Sequence, residues 1–247
     1  MFKQIAGLSI LRSIYNRSFV LLWSGQTISR IGDFLYELAL AWWVLEKTGS
    51  AAAMATVLIF SSVPMLVFLL IGGVAVDRFP PVQVMFVSDL VRGVVTTLVA
   101  LLAFMNILQI WQIYLASLVF GLVDGFFQPA YTKAIPEITA EADLTSANSL
   151  SSLGIQAGRI VGPAVGGGIV SLGGTSAAFA LNAFTFFISA AILLPLLHRP
   201  RRLLRTPPIQ VRSSLPPRRE IPPPIWSRIY ERESASCWAL PGCGSRL

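Results

Sequence analysis

Long apolar runs separated by short polar connections dominate most of the chain. A helix needs about 20 residues to cross the roughly 30 Å hydrocarbon core of a bilayer. Six runs reach that length: residues 19–45, 51–76, 82–105, 110–131, 144–171 and 175–197. The second and sixth contain no charged residue, and the other four contain ionisable residues. The pattern predicts an all-α membrane protein in which residues 19–198 form one bundle of six transmembrane helices.

The distribution of Lys and Arg predicts the orientation of this bundle, because cytoplasmic loops are enriched in both residues. If the N-terminus is cytoplasmic, the outer connections carry only Lys47. The inner segments then carry Lys3, Arg12, Arg17, Arg78, Lys133, Arg199, Arg201, Arg202 and Arg205. Both termini are therefore predicted to be cytoplasmic, with residues 1–18 as an N-terminal cytoplasmic segment. Residues 132–143 are predicted to form a short amphipathic helix on the inner surface.

Composition supports a membrane protein and excludes several classes of function. The chain is 54% hydrophobic and 13% charged, whereas soluble domains are about 25% charged. The net charge of +7 arises entirely after residue 198, so it does not indicate a nucleic-acid partner. Both cysteines, Cys237 and Cys243, lie in that tail, and no metal site or cofactor is predicted. The first run is expected to serve as an uncleaved insertion signal.

The chain changes character after His198, where Pro and Arg clusters replace apolar periodicity. Such a composition cannot bury enough apolar surface to offset the entropy of ordering. Residues 199–247 are therefore predicted to be a disordered Arg/Pro-rich tail. The abrupt change raises the hypothesis of out-of-frame translation or a truncated gene.

Seven ionisable residues fall within the predicted spans: Arg30, Asp33, Glu37, Asp89, Arg92, Asp124 and Arg159. Each costs about 2.5–3.5 kcal/mol at the bilayer centre, so they are expected to face a polar cavity or one another. The first three share one face of the first helix, at i, i+3 and i+7. Four are negative and three positive, which leaves one carboxylate without a cationic partner.

An unpaired carboxyl group in a low-dielectric interior favours its protonated form and can exchange protons. Asp33 and Glu37, with Arg30 tuning them, are therefore the candidate proton-coupling residues. Asp89, Arg92, Asp124 and Arg159 form a candidate charge network. The alternative interpretation is that these residues are structural ion pairs that hold the helices in register.

The fifth run contains glycines at every fourth position, namely Gly154, Gly158, Gly162 and Gly166. This spacing places them on one helix face, where a neighbouring backbone can approach closely. Gly158, Gly162 and Gly166, together with Pro163 and Gly167, resemble the antiporter signature of the fifth helix in the major facilitator superfamily.

Several other segments carry the same resemblance, which covers about residues 15–198. Gly73, Asp77 and Arg78 are similar to the gate motif of the loop between helices two and three in that family. Here Pro80, Pro81 and Val82 stand where the family has a glycine and two cations. The segments 29–33, 45–50, 121–124 and 129–130 are similar to family features of helices one and four.

The resemblance is to the N-terminal half of bacterial drug, macrolide and siderophore exporters. It implies half of a twelve-helix fold, a multi-pass protein of the inner (plasma) membrane, and alternating access between two bundles. It also implies proton-coupled efflux of amphipathic small molecules, with a homodimer or a separate C-terminal half completing the transporter. Two alternatives stay open: a non-transporting truncated fragment and a membrane scaffold. An enzyme is not expected, because the common catalytic motifs are missing and the chain has one His.

Overall fold

A computed structural model describes residues 12–197 of the chain. The predicted tail at 199–247, and all but the last residues of the N-terminal segment, lie outside this range. Within it, a short 3-10 turn at Arg12–Tyr15 precedes the helices, which are α1 (Arg17–Thr48), α2 (Ala51–Arg78), α3 (Pro81–Phe104) and α4 (Ile110–Ile138). A second 3-10 turn, Glu141–Asp143, leads into the helical stretch Leu144–Leu197.

The last stretch is interrupted at Gly174, whose backbone angles are φ 73° and ψ 178°. A positive φ is readily adopted only by glycine, so this residue separates α5 (144–173) from α6 (175–197). The break lies where the apolar pattern predicted the connection between the fifth and sixth runs.

Four helical segments in the described range are long and apolar enough to cross a membrane: Ala51–Arg78, Pro81–Phe104, Ile110–Ile138 and Glu141–Leu197. The last of these contains both α5 and α6. Helix α1, which carries Arg30, Asp33 and Glu37, is not among them. The all-helical class of a membrane protein is therefore confirmed for the described residues, and the count of six spans stays a prediction.

One local prediction is wrong. Residues 132–138 do not begin a separate surface helix but continue α4 to Ile138. The continuation is explained by burial, because Ala134, Ile135 and Ile138 pack into the core. The end of α4 is also fixed to the start of α1, since Asn16 Nδ2 donates a hydrogen bond to the Ile138 carbonyl at 2.6 Å.

The interior of the bundle consists of two apolar clusters with polar residues between them. One cluster lies near the start of α1 and includes Phe19, Met85 and Leu193, and the other lies near its end and includes Leu35 and Phe179. Along α1, α3, α4 and α6 the residues between the clusters include Gln26, Ser29, Asp89, Arg92, Thr96, Ser117, Asn182 and Ser189, all buried. A buried polar layer therefore crosses the middle of the bundle.

Glycines determine how closely two helix pairs approach. A Cβ atom at Gly162 of α5 would lie 2.6 Å from Phe34 Cβ and 2.9 Å from the Ile31 carbonyl oxygen, both in α1. Gly158 and Gly166 meet the same helix. Gly72 of α2 and Gly125 of α4 pack against each other's helices in a similar way. The predicted close approach along the glycine face of α5 is therefore made by α1.

We expect Gly162→Ala to destabilise the bundle by about 1–3 kcal/mol, because the added methyl group overpacks a contact with backbone atoms that cannot move aside. Gly168→Ala is the matched control, since nothing lies within 4 Å of its Cβ position. SDS-driven unfolding of both variants measures the difference. Equal stability of the two variants would show that the α1–α5 contact is looser than the structure indicates.

Candidate functional site

A cavity of about 270 Å³ opens among α1, α2, α3 and α4. Its polar lining comes mainly from α1, which contributes Gln26, Ser29, Arg30, Asp33 and Glu37. The other helices add Ser61, Arg92, Ser117, Asp124 and Gln128. The apolar part of the wall includes Phe34, Leu40, Met54, Val57 and Leu58. The cavity is therefore amphipathic and lies at the depth of the buried polar layer.

Five of the seven predicted intramembrane charges line this cavity: Arg30, Asp33, Glu37, Arg92 and Asp124. Asp89 does not line it but contacts Arg92 from within the helix interface. Arg159 is exposed on α5 and does not line it either, and its guanidinium carbon lies 6.0 Å from the centre of the Phe34 ring. The structure thus brings together charges from α1, α3 and α4 and leaves the α5 charge outside.

Arg92 is the centre of an ion-pair network. Its Nη2 donates to Asp89 Oδ1 at 2.8 Å, and its Nη1 donates to Asp124 Oδ1 at 3.1 Å. The guanidinium carbon also lies 4.3 Å from the centre of the Phe127 ring and 4.8 Å from that of Phe186. These contacts bury Arg92 and pair it with two carboxylates, so it links α3 to α4.

Asp89 extends the network to α1 and α6. Its Oδ2 accepts a hydrogen bond from Ser189 Oγ at 2.7 Å and from Gln26 Nε2 at 3.3 Å. Gln26 Nε2 also donates to Ser189 Oγ at 3.1 Å. One fully buried carboxylate therefore connects three helices.

Gln26 and Ser189 are members of this network that were not predicted from the sequence. Gln26 precedes Arg30 by four residues and so shares the polar face of α1, a signal that could have been used. Ser189 lies in a run without charges and is separated from its partner by 163 residues. Only the packing of α6 against α1 and α3 reveals its role.

Asp33 and Glu37 differ from Asp89 and Asp124, the other two carboxylates within the predicted spans. Neither makes a hydrogen bond or an ion pair with another residue of the described range. Arg92 and Arg30 are electrostatic neighbours of Asp33, and Arg159 is one of Glu37. The guanidinium of Arg30 lies 5.6 Å from the centre of the Tyr131 ring. Two carboxylates in the cavity are thus left without a bonded partner.

The gate-like motif of Gly73, Asp77 and Arg78 was expected in a loop but lies at the end of α2, where it takes part in a contact at the surface of the bundle. Asp77 Oδ1 accepts a hydrogen bond from Lys133 Nζ of α4 at 2.8 Å, and the same ammonium donates to the Val76 carbonyl at 3.0 Å. Arg78 is exposed. A Cβ at Gly73 would meet nothing within 4 Å, whereas one at Gly72 would clash with the Gly125 carbonyl. The close packing next to this motif therefore depends on Gly72.

The antiporter-type motif lies on α5, at the contact with α1. Gly158, Gly162 and Gly166 are buried there, Pro163 is half-buried, and Gly167 is exposed. Gly158 and Gly162 pack against Phe34, which lines the cavity. The glycine face thus packs against α1, the helix that carries Asp33 and Glu37.

Known proteins resemble most of this chain in sequence. Residues 8–207 match the family model described as transmembrane secretion effector. An uncharacterized MFS-type transporter of Bacillus subtilis (strain 168) is 29% identical over 178 residues, which cover 72% of this chain and 42% of that protein. Macrolide efflux protein A of Streptococcus pyogenes is 26% identical over 172 residues, covering 70% of this chain and 42% of that protein.

The multidrug efflux pump Tap of Mycolicibacterium fortuitum is 33% identical over 150 residues, covering 58% of this chain and 36% of the pump. The chain therefore spans less than half the length of the curated relatives that it matches. The predicted resemblance to bacterial drug, macrolide and siderophore exporters is confirmed.

Proposed function

The chain belongs to the major facilitator superfamily of membrane transporters, and from that premise we propose that it forms one bundle of a proton-coupled exporter of amphipathic small molecules. The observation that carries the proposal is the amphipathic cavity, whose lining includes Asp33 and Glu37, two carboxylates without bonded partners among the described residues. Ionisable residues at membrane depth are costly, and they mark substrate pathways and proton relays.

The topology that we propose has six spans, α1 to α6, over residues 19–198, with both termini in the cytoplasm and the protein in the inner (plasma) membrane. Residues 1–18 would form the N-terminal cytoplasmic segment and residues 199–247 the Arg/Pro-rich C-terminal segment. The positive-inside distribution of Lys and Arg supports this orientation. The charged positions of α1 are compatible with a span, because five of the seven intramembrane charges line the cavity.

Alternating access requires a second bundle that rocks against this one around a central site. We propose that a second copy of the chain or a separate C-terminal half supplies it. The cavity would then be one wall of the substrate pathway. The glycine face at 158–166 supports α1 during this motion because it allows helix-to-helix contact without long side chains.

Asp33 and Glu37 are the proposed proton-coupling groups, and Arg30 is the proposed tuning group. Asp89, Arg92, Asp124 and Arg159 are assigned a different role, as a charge network that fixes the relative positions of the helices. Arg92 and Asp89 fit this role because their bonded partners come from α1, α3, α4 and α6. Asp77 and its partner Lys133 are proposed to act at the cytoplasmic gate.

Reconstitution of the full chain into liposomes tests the proposal. An imposed gradient of a fluorescent amphipathic dye is expected to drive proton movement, recorded with a pH-sensitive dye inside the vesicles. The control is a set of vesicles prepared without protein. Equal dye and proton flux in both preparations would reject transport by this chain and favour the non-transporting fragment or scaffold.

A further inference from the structure

We propose that the cavity holds the positively charged group of an amphipathic organic cation, with Asp33, Glu37 and Ser29 around the charge and the rings of Tyr36 and Phe120 beside it. The inference rests on the proposed transport function and narrows its cargo to one charge class.

The balance of charges around the cavity favours a cationic occupant. Its lining contains three carboxylates and two guanidinium groups. Asp89 lies directly behind the lining and shares Arg92 with Asp124, so these three residues together carry one negative charge. Arg30 is an electrostatic neighbour of Asp33, and Arg159 of the neighbouring α5 is one of Glu37. With all four carboxyl groups deprotonated, negative groups outnumber positive groups by one even when Arg159 is counted.

The guanidinium of Arg92 is poorly placed to receive an anionic cargo. It is bonded to two carboxylates, and the rings of Phe127 and Phe186 lie within 4.8 Å of its carbon. Only 4% of the residue is exposed. An anion would have to displace Asp124 from Arg92 before it could bind there. A cation meets two carboxylates that bind nothing else in the described range.

Ser29 adds a second and independent indication of a polar occupant. It is 1% exposed and lines the cavity, and its Oγ has no hydrogen-bond partner among the described residues. It precedes Asp33 by four residues, so both lie on the same face of α1. A buried hydroxyl without a partner is costly. An N–H group of a protonated amine held by Asp33 would satisfy its oxygen.

The aromatic residues of the cavity suit the same class of ligand. Tyr36 and Phe120 stack with ring centres 5.6 Å apart and planes inclined by 7°, and both line the cavity. The stacked pair gives the cavity a broad apolar wall. Leu40, Met54 and Val57 provide apolar surface for the remainder of the molecule. The cargo that fits is therefore amphipathic as well as positively charged.

Two probes of the same shape and opposite charge test the inference. Tetraphenylphosphonium and tetraphenylborate are offered to the full chain in phosphatidylcholine nanodiscs, and binding to protein-free nanodiscs is subtracted. We expect saturable binding of the phosphonium, tighter than that of the borate by about tenfold or more. Tighter or equal binding of the borate, or no saturable binding of either probe, would overturn the inference.

Variants locate the binding site. Asp33→Asn and Glu37→Gln are each expected to weaken phosphonium binding several-fold, and Arg30→Gln is expected to strengthen it. Glu46→Gln is the matched control, because Glu46 is an exposed carboxylate of α1 outside the cavity lining. Unchanged phosphonium affinity in the Asp33→Asn/Glu37→Gln double variant would contradict the assignment. If Asp33→Asn does not fold, the comparison of phosphonium and borate binding to the unmodified chain still determines whether the cavity prefers a cation.

Failure of this inference can be distinguished from failure of the transport proposal. Flux of an anionic dye with preferential borate binding would reject the cationic cargo and leave transport intact. Phosphonium binding that depends on Asp33, without flux in liposomes, would support the binding site and reject transport by this chain.

Discussion

Replacing Asp33 by asparagine is expected to reduce substrate-driven proton movement to the level of protein-free vesicles. The substitution keeps the size of the side chain but removes the group that can take up and release a proton. Asp33 makes no hydrogen bond or ion pair within the described residues, so its loss breaks no structural contact there. The measurement is the internal pH of proteoliposomes after an imposed gradient of dye.

Three variants of α1 separate a coupling role from a structural one. Glu46→Gln removes an exposed carboxylate of the same helix and is expected to leave proton movement unchanged. Asp33→Glu keeps a carboxyl group and is expected to retain part of the activity. Wild-type proton movement in the Asp33→Asn protein would remove Asp33 from the coupling mechanism.

The second large effect is expected on stability, from Asp89→Ala. This substitution removes one of the two carboxylates paired with Arg92 and the acceptor of Ser189 and Gln26. Breaking a buried ion pair by removing one partner costs about 3–5 kcal/mol, since the remaining charge loses its compensation. We expect a loss of free energy of unfolding in that range, measured by SDS-driven unfolding in mixed micelles.

Asp124→Ala is the matched comparison, because it removes the other carboxylate bonded to Arg92. The side chain of Asp124 is 29% exposed, against 0% for Asp89, so water can replace part of the lost interaction. Asp124→Ala should therefore cost clearly less than Asp89→Ala. Equal losses would contradict the view that Asp89 is the buried connection between α1, α3 and α6.

Much of the helix order could be predicted from the sequence because its boundaries have local causes. Gly49 has φ 60° and ends α1, Pro81 is the first residue of α3, and Gly174 separates α5 from α6. Each acts through backbone geometry that the residue type itself determines. The starts of α2 and α4 at residues 51 and 110 also agree with the apolar pattern.

Features that depend on tertiary contacts could not be predicted. The polar residues of 132–138 indicated a separate helix on the surface. Instead, packing of Ala134 and Ile138 in the core continues α4 through this segment. The resemblance pointed to Gly73, whereas the close contact with α4 involves the adjacent Gly72. One position of difference changes the helix face by about 100°, and only the arrangement of neighbouring helices determines which glycine is needed.

The candidate site was predictable in part, because charges in apolar runs are conspicuous. Five of the seven predicted residues line the cavity. The sequence could not distinguish those that are bonded from those that are not. The charge count predicted one carboxylate without a cationic partner, but Arg92 takes two carboxylates while Arg30 and Arg159 contact aromatic rings. The pairing depends on distances between helices, and these cannot be inferred from residue spacing along the chain.

Asp33, Glu37 and Asp124 are expected to face one water-accessible cavity. Cysteine labelling at positions 33, 37 and 124 tests it most directly, after Cys237 and Cys243 have been replaced by serine. Positions 66 and 70, where exposed leucines lie on α2, serve as comparisons. We predict that a membrane-impermeant, water-soluble maleimide labels the first three positions and not the last two. Labelling of 33, 37 and 124 only by a lipid-soluble reagent would show that these side chains face the lipid and not a water-accessible cavity.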